Sequence, residues 1–126
     1  MALTVGNPTA LQTALREAIV SAVNTAINSG GGTAVFRLRN STTTLVEWPL
    51  DATNPLTLGA SDGSATLNPT SASATAVAGT ATVPNNYQIV SEAGAVLIDG
   101  TVTGGDGITT GQTVTLGTTT ITMPAA

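Results

Sequence analysis

Cysteine, histidine and lysine occur nowhere in the 126 residues. Without cysteine there is neither a disulfide nor a thiolate metal site, and the redox compartment stays open. Without histidine or lysine no Ser-His or Tyr-Lys constellation can form, which removes the usual routes to nucleophilic and general acid-base catalysis. Aromatic residues make up 2% of the chain, as Phe36, Trp48 and Tyr87. The core must therefore be built mainly from Ala, Val, Leu and Ile. These bury less area than aromatics, at roughly 25 cal/mol per Å², against a backbone ordering cost of about 1–2 kcal/mol per residue. Packing against other subunits would add to so modest a core.

Charge is scarce too, at 8% of residues against about 25% in an average soluble domain. Three arginines, Arg16, Arg37 and Arg39, stand against seven carboxylates for a net charge of −4. Binding a phosphate backbone needs clustered cations to release counterions, so nucleic acid is not an expected partner. No stretch is long and apolar enough to suggest a transmembrane helix, and the N-terminus lacks the basic and apolar regions of a signal peptide. A surface left to Thr, Ser, Asn, Gly and Ala suits either a neutral extracellular-type surface or one largely covered by neighbours, and coverage is the favoured reading.

What is present divides the chain in two, with residues 1–32 a helix and glycine hinge and residues 33–126 an antiparallel β domain, together one compact domain. In "NPTALQTALREAIVSAVNTAINSGGG", Leu11, Leu15, Ile19, Val23 and Ile27 recur every fourth residue, with Ala14, Ala18, Ala22 and Ala26 on the flank. That spacing predicts an amphipathic helix starting near residue 8, capped either by Asn7 with Pro8 or by Thr9 with Gln12. Ser29–Gly32 ends it and reads as a flexible hinge.

After the hinge the period falls to two. "TAVFRLRN" sets Ala34, Phe36 and Leu38 on one face and Val35, Arg37 and Arg39 on the other. A polar turn at Asn40–Thr42 leads to "TTLVEWPL", where Val46, Trp48 and Leu50 share a face and Pro49 restricts the strand end to an edge or a bulge. Short strands then flank Asp62-Gly63, a weak Ala/Thr-rich strand follows, and further strands are expected at Tyr87–Val90 and Ala95–Val102, joined by a tight turn at Glu92–Gly94. The last segment alternates Val114, Leu116, Ile121 and Met123 with threonine, broken at Gly117. Strands spaced this closely predict a mainly β fold, an antiparallel β-sandwich or small barrel preceded by one helix.

Several residues could carry chemistry or contacts. "GGDG" at 104–107 could cradle a phosphate or, with Asp99, help hold Ca²⁺. It lacks the lysine of a phosphate loop, and two carboxylates fall short of the six to eight oxygens calcium takes, so a turn is the better reading. The pairs Glu47/Asp51 and Asp99/Asp106 read as solvated acids, and no cofactor or metal is expected. Asn40-Ser41-Thr42 matches a glycosylation sequon, which without a secretory signal is read as accidental. Candidate interface residues are the stripe Leu11, Leu15, Ile19, Val23 and Ile27, the pair Arg37 and Arg39, and Trp48, whose other reading is a core residue. The stripe either lies on the chain's own sheet or pairs with another copy.

Taken together, "LQTALREAIVSAVNTAINSGGG", "TAVFRLRN", "TLGASDGSATLN", "YQIVSEAGAVLIDGTV" and "GITTGQTVTLGTTTITMP" resemble a family of small tailed-phage and prophage virion structural proteins, over nearly the whole chain. The resemblance implies a non-enzymatic decoration or cement protein on the capsid exterior, made in the bacterial host cytoplasm. It implies a homo-oligomer, a trimer in the first instance, that bridges major capsid subunits, with a tail, neck or fibre position as the alternative. A carbohydrate-binding β-sandwich is the other class of reading, although one Trp and one Tyr are few for stacking on sugars. A carboxylate-only glycosidase survives formally.

Overall fold

The computed structural model describes residues 2–3, 13–58 and 64–122. The chain is mainly β and sandwich-like, with an antiparallel four-stranded sheet and one short helix near the N-terminus. The elements are α1 (Thr13–Ile27), β1 (Val35–Asn40), β2 (Thr43–Pro49), β3 (Leu56–Leu58), β4 (Ser64–Leu67), β5 (Ser73–Thr75), β6 (Asn86–Val90), β7 (Val96–Thr101), β8 (Thr113–Thr115) and β9 (Thr120–Thr122). The large sheet has the order β2-β1-β6-β7, a second sheet the order β3-β4-β9, and β5 pairs with β8. The start of α1 and its expected caps at residues 7–12 lie outside the described residues, as do the Asp62-Gly63 turn and Met123.

The period-two pattern of "TAVFRLRN" gives β1 two different faces. Phe36 is buried against Trp48 on one side and Ile89 on the other, and Leu38 stands between Val46 and Tyr87. The opposite face carries the row Glu47–Arg37–Gln88–Asp99. The β1–β2 hairpin closes through Ser41 and Thr42, and Ser41 takes a positive φ of 52°. That conformation is uncommon outside glycine. It is held by the Ser41 N–H donating to Asn85 Oδ1 at 3.0 Å and by Asn86 Nδ2 donating to the Ser41 carbonyl at 3.1 Å.

Inner faces of both sheets meet in one apolar cluster. The large sheet contributes Phe36, Val46, Trp48 and Ile89, the second sheet Leu56, Ala65 and Leu67, and α1 contributes Ile27. The aromatics form a column in which Phe36 lies 5.9 Å from Trp48 and 5.7 Å from Tyr87, ring centroid to centroid, a spacing at which tilted rings attract. Across from Tyr87 stands Gly100, and a Cβ built there would sit 2.6–2.8 Å from the tyrosine ring. The ring therefore covers the glycine, and no larger residue fits beneath it.

Two features depart from the sequence reading. Ser29–Gly32 is not a free hinge: the Glu92 N–H donates to the Ile27 carbonyl at 3.1 Å, and the Gly31 N–H donates to Glu92 Oε2 at 2.9 Å. Gly30, at φ +129°, lies so close to Ala93 that an added Cβ would come within 2.6 Å of its nitrogen. The glycines bring the helix end flush against the β6–β7 turn, so α1 is anchored to its own sheet at that end. The second departure is Leu45, which falls outside the Val46, Trp48 and Leu50 face read from the sequence. A register shift between Leu38 and Arg39 makes it a bulge residue, and it is buried.

Candidate association surface and polar cleft

The two edges of the large sheet differ. Beyond β2 the returning chain closes the edge: the Val77 N–H donates to the Leu45 carbonyl at 2.8 Å and the Thr70 N–H to the Pro49 carbonyl at 2.9 Å. Trp48 Nε1 adds a bond to the Ala72 carbonyl at 3.1 Å. Pro49 thus sits on an edge strand, as its missing N–H requires. At the other edge, β7 pairs with β6 alone, and no backbone group on its far side has a partner among the described residues. Val96 and Leu97 on this strand are 45% and 39% exposed. Beside it runs an open apolar groove of about 330 Å³ lined by Ala22, Val23, Ala26, Leu97 and Ile98.

The expected interface residues separate on this frame. Ile27 is fully buried in the core, and Val23 is half-buried between core and groove. Leu11 lies outside the described residues; Leu15 and Ile19 belong to α1, but their side chains lie outside what is described. Trp48 is fully buried, so it serves the core and not a binding surface. Arg37 and Arg39 do share the outer face of the sheet, yet both are held from within. Arg37 Nε donates to Gln88 Oε1 at 2.8 Å, its Nη2 donates to the same oxygen, and its Nη1 lies 3.8 Å from Glu47 Oε1. Arg39 Nη2 donates to the Thr42 carbonyl at 2.7 Å, and its buried Nε has no partner.

The acids take separate posts as well. Glu47 faces Arg37, whereas Asp51 Oδ1 accepts the N–H groups of Asn54 at 2.7 Å and Thr53 at 2.9 Å. These two bonds, Asn54 first, hold the Asp51 carboxyl below its ordinary value of 3.8. Asp99 lies on the outer face of β7, and Asp106 lies in the loop that carries residues 104–107 back to the Thr82–Ile108 bridge. Among the described residues no three His, Cys, Asp or Glu side chains group to hold a metal ion. The sequon nitrogen is engaged, since Asn40 Nδ2 donates to the Val83 carbonyl at 2.8 Å.

One constellation was missed by sequence reasoning. Asn24, Asp51, Asn54, Leu56, Thr57 and Asn68 line an open cleft of about 540 Å³ between α1 and the β3–β4 hairpin. The helix supplies Asn24 to its wall, whose Oδ1 accepts the Leu56 N–H at 3.2 Å, and just past the helix end Asn28 Nδ2 ties the loop down by donating to the Thr53 carbonyl at 2.8 Å. Asn68 Nδ2 donates both to the Asn54 carbonyl at 2.9 Å and to Thr57 Oγ1 at 2.7 Å. The only local signal was the repeated Asn-Pro step at 54–55 and 68–69, which marks turns. No family model matches this chain, and neither a curated protein nor a solved structure matches it.

Proposed function

We propose that this chain is a non-enzymatic structural protein of a phage virion, a decoration or cement protein that joins with its own copies and bridges major capsid subunits from outside the shell. The observation that carries the reading is the asymmetry of the large sheet, one edge stitched by the chain itself and the other left open and apolar along β7. An unpaired edge beside an apolar groove is a template for association. The scarcity of charge supports the same reading, because a surface covered by neighbours needs little of it. The arginines hold their own sheet together, so contact is assigned to the β7 edge and its groove, against a second copy.

A trimer, the state that the sequence resemblance implies, would use β7 heterologously, each edge meeting a different patch on the next copy. The docked glycine segment favours assembly by packing of preformed domains over exchange of the helix between them. Deleting the protein from the particle tests the proposal. Heads should assemble normally and release their genome at lower temperature or on osmotic shock. Heads that are equally robust but lack tails or fail to adsorb would transfer the role to the tail or neck.

A further inference from the structure

We propose that the cleft between α1 and the β3–β4 hairpin is a binding site for a hydroxyl-rich ligand, a pyranose sugar. The polar groups of Asn24, Asn68, Thr57 and Asp51 are each held in orientation by hydrogen bonds within the fold. Asn24 spends its oxygen on the Leu56 N–H, so its Nδ2 is the atom left to donate. Asn68 spends its Nδ2 on two acceptors, which leaves Oδ1 to accept. Thr57 Oγ1 already accepts from Asn68 and keeps its own proton to donate, and Asp51 uses Oδ1 for two backbone N–H groups and keeps Oδ2. The Asn54 side chain has no partner among the described residues, and Leu56 forms the apolar floor.

A ring of alternating hydroxyls needs this mixture, because every hydroxyl both donates and accepts. The amide orientations follow from the bonding pattern. The cleft volume of about 540 Å³ falls in the range of roughly 300–1,000 Å³ usual for small-molecule sites. Other ligand classes fit worse. Phosphates and carboxylates would meet Asp51 with no cation among the described lining residues. Calcium would find a single carboxylate among the described lining residues, where it prefers several oxygens of high charge. No aromatic ring is among the described lining residues, so one site alone binds weakly, and an oligomer would bind a surface glycan through several sites at once. The proposal stands apart from the capsid role and does not depend on it.

The test uses the full chain labelled with ¹⁵N and the methyl glycosides of glucose, galactose, mannose and N-acetylglucosamine. At least one should give saturable shifts confined to the side-chain amides of Asn24, Asn54 and Asn68 and the backbone N–H of Thr57. Asp51→Asn retains the Oδ1 acceptor of the turn but turns the free acceptor into a donor, and it should weaken binding roughly tenfold or more. Asn54→Ala, at a side chain that bonds nothing in the fold, should weaken it as well. Absence of saturable shifts with all four sugars, unchanged affinity in both variants, or the same shifts on adding Ca²⁺ alone would overturn the proposal.

Discussion

Replacing Gly100 by alanine isolates the contact between β6 and β7. Alanine is ordinarily the better strand residue, and relief of glycine's conformational freedom favours it by about 0.5–1 kcal/mol. Here the added methyl would lie 2.6 Å from Cε1 and 2.8 Å from Cζ of Tyr87. The ring cannot simply turn aside, because Phe36 packs 5.7 Å from it. Overpacking of this kind costs about 1–3 kcal/mol, so Gly100→Ala should destabilise by about 0.5–2 kcal/mol net, a fall in melting temperature of a few degrees for a domain of this size. The decisive measurement is a double-mutant cycle with Tyr87→Leu, followed by circular dichroism in urea. In the leucine background the alanine should become neutral or stabilising, with a coupling energy of about 1–3 kcal/mol. Gly100→Ala that is harmless beside the native tyrosine, or equally costly in both backgrounds, would refute the account of the ring as a lid over the glycine.

Trp48→Ala should cost about 3–5 kcal/mol, the range for emptying a buried aromatic site, whereas an exposed interface tryptophan would leave the monomer's urea midpoint unchanged. Glu47→Ala removes an ion pair at 3.8 Å between partly exposed groups and should cost less than about 1 kcal/mol; a larger loss at high salt would contradict this. Asp51, whose folded carboxyl lies below 3.8, stabilises the fold above that ordinary value. Its contribution is lost as pH falls through the lower folded value, so melting curves of Asp51→Asn should converge with those of wild type only at strongly acidic pH. Gly30→Ala, which drives a methyl against the Ala93 backbone at φ +129°, should lower the melting temperature, where a true hinge glycine would tolerate the change.

Local pattern carried the strands well. Ala34, Phe36 and Leu38 alternate with Val35, Arg37 and Arg39, and the first set turns to the core, Ala34 and Phe36 buried and Leu38 half-buried against it, because successive side chains must point to opposite faces. Pro49 marked an edge because it has no N–H to give to a ladder. The burial of Leu45 was not legible, since a bulge resets the alternation and depends on a register shift opposite Leu38 and Arg39. Sheet order was hidden too: β1 accepts β6 as its second neighbour across some fifty residues of sequence. The glycine run was misread because its composition describes a loose chain equally well as one pressed against Ala93. The polar cleft draws its side chains from α1, the loop after β2 and both strands of the β3–β4 hairpin region, and only tertiary structure brings such a set together.

The burial of the chain's sole tryptophan has an optical consequence. With Trp48 wholly shielded from water and Tyr87 only one ring removed in the column through Phe36, intrinsic fluorescence reports from a single place in the fold. Excitation of the tyrosine should pass to the indole, whose emission is blue-shifted while the sandwich is closed and moves to the red when it opens. Binding at the β7 edge or in the cleft would leave that spectrum nearly untouched. The molecule therefore carries a built-in signal for the integrity of its core that is separate from any signal of assembly, and the two can be followed in one sample without a dye.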